Sequence, residues 1–180
     1  MQKSKGDWRE PAPRESDWRE AKRPKPEPSS SRMKIAVWIA GLASLVPLVA
    51  LAATVGKMPD QIPMHYNFFG EVDRYGSPYE LWILAIILAL LAAAILIIVR
   101  YPQSSNTIWE PRSAAGYRAF YRLSRILIIG MSLWCTALNL ALVFALPGWL
   151  PIGWVVALLI AIVPVLIVFT LQLRRVAQIR

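Results

Sequence analysis

Long apolar segments alternate with short polar ones along this chain, and the alternation predicts most of its architecture. Four segments contain no Asp, Glu, Lys or Arg: Ile35–Val55, Leu81–Val99, Ile126–Leu146 and Ile152–Leu171. Each is about 20 residues long, which as a helix is enough to cross roughly 30 Å of hydrocarbon. Soluble helices would carry a polar face, and a strand would leave its backbone unpaired in lipid. We therefore predict an all-α integral membrane protein with four transmembrane helices and a short structured extracytoplasmic loop between helices one and two.

The polar segments between these spans divide the chain into five parts. We predict a disordered, charged, proline-rich tail at 1–34, a two-helix unit at 35–99 with its outer loop at 56–80, a loop with a basic interfacial helix at 100–125, a transmembrane helical hairpin at 126–172 and a basic tail at 173–180.

The distribution of basic residues predicts the orientation in the membrane. The chain has a net charge of +9, and eighteen of its twenty Lys and Arg residues lie in the two tails and the 100–125 loop. The outer loop contains only Lys57 and Arg74. Because cytoplasmic loops are enriched in Lys and Arg, we expect a multi-pass cell-membrane protein with both termini in the cytoplasm. The basic balance then reflects orientation and contact with the lipid bilayer, and nucleic acid is not an expected partner.

The N-terminal tail repeats the sequence DWRE, at Asp7–Glu10 and at Asp17–Glu20. A tail so rich in proline and charge cannot bury a core, which is why disorder is predicted. The repeat indicates either a docking motif for a cytosolic partner or drift under weak constraint.

Three arginines of the middle loop share one face of a predicted helix, since Arg118, Arg122 and Arg125 follow i, i+4, i+7 spacing. We predict that they contact lipid phosphates at the inner membrane surface. A site for a phosphorylated ligand is the alternative.

The spans contain few polar side chains and, at mid-membrane, no ionisable group. Proton relays and ion pumps usually have one, so a self-contained active transporter is not expected. Asn139 is predicted to hydrogen-bond a neighbouring helix. The single cysteine, Cys135, lies in the third span and is interpreted as an apolar packing residue.

The outer loop carries the single histidine of the chain and most of the acidic residues outside the first 34, in "KMPDQIPMHYNFFGEVDRYGSP", Lys57 to Pro78. Alternation from Gln61 to Phe68 predicts a short extended segment followed by a turn, folded onto the outer ends of helices one and two. Gly70 and Gly76 are the expected sites of positive φ. The side chains predicted to pack inward are Ile62, Met64, Tyr66 and Phe68, and those predicted to point outward are Pro63, His65 and Asn67.

This loop resembles a known family. "MPDQIPMHYNFFGEVDRYGS" is similar to the loop that marks a bacterial membrane domain of unknown function, the DUF1648 type. That domain also occurs at the N-terminus of the immunity proteins that protect bacilli from the sporulation-delaying peptide toxin. The matching positions are Pro59, Ile62, Pro63, His65, Asn67, Gly70, Asp73, Gly76 and Ser77. The resemblance covers Ile35 to about Val99, and it implies a bacterial membrane protein without an established activity.

The polar residues of the loop allow three interpretations. His65, Asn67 and Asp73 are expected to meet across the turn, with Asp73 orienting the imidazole. They then form a hydrogen-bonded clasp, a recognition surface for an external peptide or membrane protein, or a metal site. One histidine with a few oxygen atoms is a poor zinc site, and neither a catalytic residue nor a cofactor is predicted. The candidate binding residues are His65, Asn67, Asp73, Pro63, Gly70 and Gly76.

We therefore expect a protein that acts by binding, as a sensor, an immunity-type protein or an accessory subunit. A subunit of a membrane transporter complex is the second hypothesis, and a membrane-embedded metal-dependent enzyme is the third.

Overall fold

The computed structural model describes residues 23–105, 109–111 and 113–179. The DWRE repeats therefore lie outside the described residues. The elements in chain order are α1 (Ser31–Ala43), α2 (Val46–Thr54), β1 (Ile62–Tyr66), β2 (Val72–Gly76), α3 (Leu81–Ile97), α4 (Ala114–Ala145) and α5 (Gly153–Ala177). Short 3₁₀ turns at Val55–Lys57, Pro78–Glu80, Ile98–Arg100 and Pro102–Ser104 flank the helices.

The described residues form four helical segments that are long and apolar enough to cross a membrane, as predicted. The first segment is interrupted, because α1 ends at Ala43 and α2 begins at Val46. Pro47 has no N–H to donate to the Ala43 carbonyl, which accounts for the break. The Ser44 hydroxyl donates instead to the Gly41 carbonyl at 2.7 Å within the same turn. Pro164, by contrast, lies inside an uninterrupted α5.

The predicted basic helix and the third span form one element. α4 has 32 residues, so it is about 48 Å long at 1.5 Å per residue. That length exceeds the hydrocarbon core by roughly 18 Å. Its first turns are stabilised by Ser113, whose hydroxyl accepts a hydrogen bond from the Gly116 N–H at 3.0 Å and donates one to the Ile179 carbonyl at 2.8 Å. The N-terminal part of α4 therefore packs against the end of α5, and Tyr117, Phe120 and Tyr121 are buried there beside Leu173 and Val176.

Two buried side chains of α4 hydrogen-bond to the backbone of α3. The Asn139 amide donates to the Ala85 carbonyl at 2.9 Å, which confirms the predicted inter-helix bond. One heptad away, the Ser132 hydroxyl donates to the Ala92 carbonyl at 2.8 Å. Both alanines are buried, so the helices approach closely there, as small residues permit in membrane proteins. Cys135 is buried on the same helix.

Helix α5 is the least covered of the four spans. Only 6% of its most apolar stretch is buried within the protein, and its main neighbour is α4. The Trp134 indole N–H donates to the Leu158 carbonyl at 3.1 Å and fixes this contact. Ala157 and Ala161 are exposed, so these small residues do not face α4.

Residues 23–30 belong to the tail predicted to be disordered, and they contain neither helix nor strand. They contact α4 through hydrogen bonds. The Tyr121 hydroxyl donates to the Pro24 carbonyl at 3.0 Å, and Arg125 donates to the Glu27 carbonyl at 2.8 Å. Arg23 pairs with Glu110 at 2.9 Å, and this hydrogen bond raises the pKa of the Arg23 guanidinium further above its ordinary value.

Candidate functional site

The candidate site is a β-hairpin between α2 and α3. Strands β1 and β2 pair antiparallel, with Ile62 opposite Gly76 and Tyr66 opposite Val72. The register shifts on both sides of His65, which pairs with Arg74. The sequence predicted the first strand as an extended segment but missed the second, because Val72–Gly76 alternates too weakly in polarity to be recognised.

The hairpin is docked on one end of the bundle by the inward side chains of β1. Ile62 is almost completely buried against Leu51 and Leu81, and Met64 and Tyr66 pack against the same cluster. The predicted inward face is therefore confirmed for these three side chains. It is wrong for Phe68, which lies past the end of the strand and is 98% exposed.

Asn67 organises the turn that joins the strands. Its side-chain oxygen accepts hydrogen bonds from the backbone N–H groups of Phe69 and Glu71 at 2.9 and 3.0 Å. Its amide nitrogen donates to the Glu71 carboxylate at 2.9 Å. Gly70 adopts φ +82°, as predicted, and its N–H donates to the Asn67 carbonyl at 3.0 Å. Asparagine commonly closes turns in this way, so Asn67 is the clasp of the hairpin.

His65 and Asp73 meet on the exposed side of the strands. The distance between Nδ1 of His65 and Oδ1 of Asp73 is 2.6 Å. A carboxylate can only accept, so the hydrogen bond places the proton on Nδ1 and leaves Nε2 on the opposite edge of the ring. The two side chains are 65% and 44% exposed, so an outside group can reach them. The expected contact between His65 and Asp73 is present, whereas the Asn67 side chain is used within the turn.

A second polar group links the hairpin to the start of α3. The Glu80 carboxylate accepts hydrogen bonds from Arg74 and from the Ser77 N–H, each at 3.0 Å, and closes a capping box. Gly76 lies against this group with an ordinary φ, so the prediction of positive φ there is wrong. Its lack of a side chain matters for another reason, because an added Cβ would lie 2.9 Å from Met64 Cγ and would collide with the Glu80 carboxylate.

The tip of the hairpin presents two aromatic rings that sequence reasoning did not select. Phe68 and Phe69 are 98% and 85% exposed, and their rings meet edge to face with centroids 5.8 Å apart. The sequence Asn-Phe-Phe-Gly could have indicated this exposure. An asparagine and a positive-φ glycine form a turn, and the two residues between them project away from the core. Pro63 lies in β1 opposite Tyr75.

The three candidate arginines lie at the opposite end of the bundle from the hairpin. Arg118 and Arg122 are exposed on α4, and Arg125 is half-buried. Arg118 Nε is 3.8 Å from the Glu27 carboxylate. They cannot act together with His65 and Asp73.

The described residues hold no group of three or more His, Cys, Asp or Glu side chains placed to bind a metal ion. His65 with Asp73 alone offers one nitrogen and one carboxylate, fewer ligands than a zinc site uses.

These observations define a multi-pass membrane protein whose hairpin between α2 and α3 is its most differentiated feature. Residues 42–89, which include the whole hairpin, match the family described as "Domain of unknown function (DUF1648)", which confirms the resemblance predicted for this segment. The chain is also similar to an uncharacterized protein of Archaeoglobus fulgidus, with 29% identity over 142 residues that cover 69% of this chain and 78% of the relative. No solved structure matches it.

Proposed function

We propose that this protein acts by recognition and not by catalysis, as a sensor, an immunity-type protein or an accessory subunit of the cell membrane. Its outer hairpin would bind an external peptide or a membrane protein. The observation that carries the proposal is the pair of exposed rings, Phe68 and Phe69, on a turn held by Asn67.

A pair of aromatic rings exposed to water is unfavourable, and burying the pair against a partner would be favourable. Each ring buries on the order of 150–250 Å² when it is covered, worth several kcal/mol for the pair at about 25 cal/mol per Å². Aromatic side chains are also enriched among the residues that dominate binding energy at interfaces. A turn whose backbone is already fixed loses little entropy on binding, which favours the hairpin as a preorganised surface.

The His65–Asp73 pair supplies polar specificity beside this apolar tip. Nδ1 is occupied by Asp73, so Nε2 is the imidazole atom that would meet a hydrogen-bonding group of the partner. The partner expected from this chemistry has an apolar anchor for the rings and a polar group within reach of His65 and Asp73.

The proposal requires the hairpin to face outward, with both termini in the cytoplasm. In a Cys135→Ala background, a Glu71→Cys variant should react with an impermeant maleimide on intact cells. The matched Arg175→Cys variant, at the other end of the bundle, should react only after permeabilisation. The reverse pattern would contradict the orientation.

Photo-crosslinking tests recognition directly. A photoreactive phenylalanine analogue placed at position 69 should give a discrete protein or peptide adduct in living cells, identified by mass spectrometry. The matched control places the analogue at exposed Leu90, in the apolar span of α3, where lipid adducts are expected. Lipid adducts alone at both positions would contradict a proteinaceous partner.

A loss-of-binding variant completes the test. The Phe68→Ala, Phe69→Ala double variant removes only exposed side chains, so its thermal unfolding midpoint should stay unchanged. A photoreactive residue at position 75 should form an adduct when Phe68 and Phe69 are present and should lose it in the double variant. If the adduct persists, the tip is not the recognition surface.

A subunit of a transporter complex is the second candidate. It is favoured by the low coverage of α5, which leaves most of that helix for lipid or another chain. The interior polar groups Asn139 and Ser132 already bond to α3, so a transport path would need residues from partner chains.

A further inference from the structure

A basic groove lies at the end of the bundle opposite the hairpin, between the extended segment 27–30, α1 and the N-terminal half of α4. Its volume is about 850 Å³. Four guanidinium groups line it: Arg32 from α1, and Arg118, Arg122 and Arg125 from α4. Glu27 contributes the one carboxylate of the lining. We call this feature the arginine groove.

The composition of the arginine groove changes along the helix axes. α1 and α4 run in the same direction, so their arginines lie at the same end. The next positions toward the membrane spans are apolar: Met33 and Ala36 on α1, and Ile126 and Ile129 on α4. The groove thus passes from concentrated positive charge to an apolar wall over a few turns.

The net positive charge of the groove favours an anionic ligand. Arginine stays protonated at all physiological pH values, and four such groups face one acid. The Arg125 side chain adds a further requirement, since its Nε is buried and lacks a hydrogen-bond partner within the described part of the chain. Guanidinium groups match phosphate oxygens in geometry and charge.

The apolar wall selects among phosphate ligands. A soluble phosphate would use the arginines and leave Ile126 and Ala36 uncovered. A phospholipid would use both parts, with its phosphate among the guanidinium groups and an acyl chain along the wall. We propose that the arginine groove binds one anionic phospholipid in this way. The proposal is independent of the outer hairpin and goes beyond diffuse contact of arginines with a lipid surface.

Glu27 competes with the lipid in this arrangement. Its carboxylate is 3.8 Å from Arg118 Nε, and both side chains are more than half exposed. Such exposed pairs are weak, so a phosphate can displace the carboxylate at small cost. Removing the Glu27 charge should therefore increase lipid retention.

The test measures lipid retention by native mass spectrometry. The purified full chain, in micelles doped with equal amounts of phosphatidylglycerol and phosphatidylcholine, should retain one phosphatidylglycerol. The R118Q/R122Q variant should retain it about thirty-fold less, from about 1 kcal/mol per basic residue. The control R174Q/R175Q removes the same charge from α5 at the same end of the bundle and should retain the lipid as the wild type does. The E27Q variant should retain it several-fold more, a gain that misfolding would not produce.

The remaining outcomes would overturn the proposal. Equal loss in R174Q/R175Q would mean diffuse charge and not a site. Equal retention of phosphatidylcholine would mean no headgroup selection. Displacement by millimolar inorganic phosphate, or by glycerophosphoglycerol without acyl chains, would identify a site for soluble phosphates. Unchanged retention in both R118Q/R122Q and E27Q would place the lipid elsewhere.

Discussion

His65 is hydrogen-bonded to Asp73 at 2.6 Å, although the strand register places His65 opposite Arg74. The pairs at the two ends of the hairpin, Ile62 with Gly76 and Tyr66 with Val72, share one register, in which a regular ladder would pair His65 with Asp73. Side chains directly opposite each other in an antiparallel pair are close enough to interact. The imidazole–carboxylate bond therefore joins the two partners of the regular register, although the backbone pairing shifts locally.

We predict that Asp73→Asn lowers binding without unfolding the hairpin. The pair is exposed, and such pairs contribute at most about 1 kcal/mol to the free energy of unfolding. Thermal unfolding should stay close to wild type, while the crosslinking yield at position 69 should fall. Asp60→Asn, in the same outer segment, is the matched control. A loss of stability as large as that of Asn67→Ala would assign the pair a structural role.

Asn67→Ala should open the turn. The variant removes two acceptor bonds to backbone N–H groups and one donor bond to Glu71, which together cost about 1–3 kcal/mol. Hydrogen exchange of the Gly70 amide should accelerate accordingly. Asn67→Asp keeps the acceptor but sets a carboxylate beside that of Glu71, so its exchange at neutral pH should also be faster than in the wild type. If the Gly70 amide exchanged at the wild-type rate in Asn67→Ala, Asn67 would not be the residue that holds the turn closed.

Three glycines should respond differently to alanine. Gly76→Ala should cost about 1–3 kcal/mol by overpacking against Met64 and Glu80. Gly70→Ala should cost about 1–2 kcal/mol through its positive φ alone, since no atom lies within 4 Å. Gly130→Ala, in open space on α4, should stabilise by about 0.5–1 kcal/mol. Denaturant unfolding in micelles gives the order of stability of the three variants. If Gly76→Ala leaves stability unchanged, the close approach of Gly76 to Met64 and Glu80 is disproved.

Asn139→Leu should loosen α3 from α4. Inter-helix hydrogen bonds in membranes average about 0.6 kcal/mol and reach about 1.7 kcal/mol. The variant should lower the free energy of unfolding within that range, measured by detergent-induced unfolding. Thr170→Ala is the control, because Thr170 bonds only to Leu166 of its own helix and is exposed. Equal effects of both variants would mean that the Asn139 bond to Ala85 adds nothing.

The sequence was sufficient for the four spans because lipid imposes one requirement, a run of apolar residues long enough to cross it. It was also sufficient for Asn139, since a buried amide in a helix has few partners other than the next helix. The break at Ser44–Leu45 could not be predicted in the same way. Pro47 interrupts its helix and Pro164 does not, and local sequence does not separate the two cases.

The hairpin was predictable only in part. Alternation identified Ile62, Met64 and Tyr66, because burial of one strand face is a local pattern. It failed at Phe68, where the turn begins and alternation no longer describes side-chain direction. The fit between Gly76 and Glu80 depends on where α3 meets the strands, which is a tertiary property that glycine conformation alone does not report.

The end of the bundle opposite the hairpin was the least predictable part. Spacing placed Arg118, Arg122 and Arg125 on one face, but it gave no reason to add Arg32 from another helix. Composition favoured disorder for the N-terminal tail and gave no reason to expect the hydrogen bonds of its residues 23–30 to Tyr121 and Arg125. Such contacts join residues nearly a hundred positions apart, and no local pattern encodes them.

The bonds from Asn139 and Ser132 are separated by seven residues, and so are their acceptors Ala85 and Ala92. Sliding α3 lengthwise past α4 by one turn would break both bonds together, whereas tilting the two helices as a single body would break neither. A load applied to the hairpin at the start of α3 would therefore move α3 and α4 together instead of sliding one past the other.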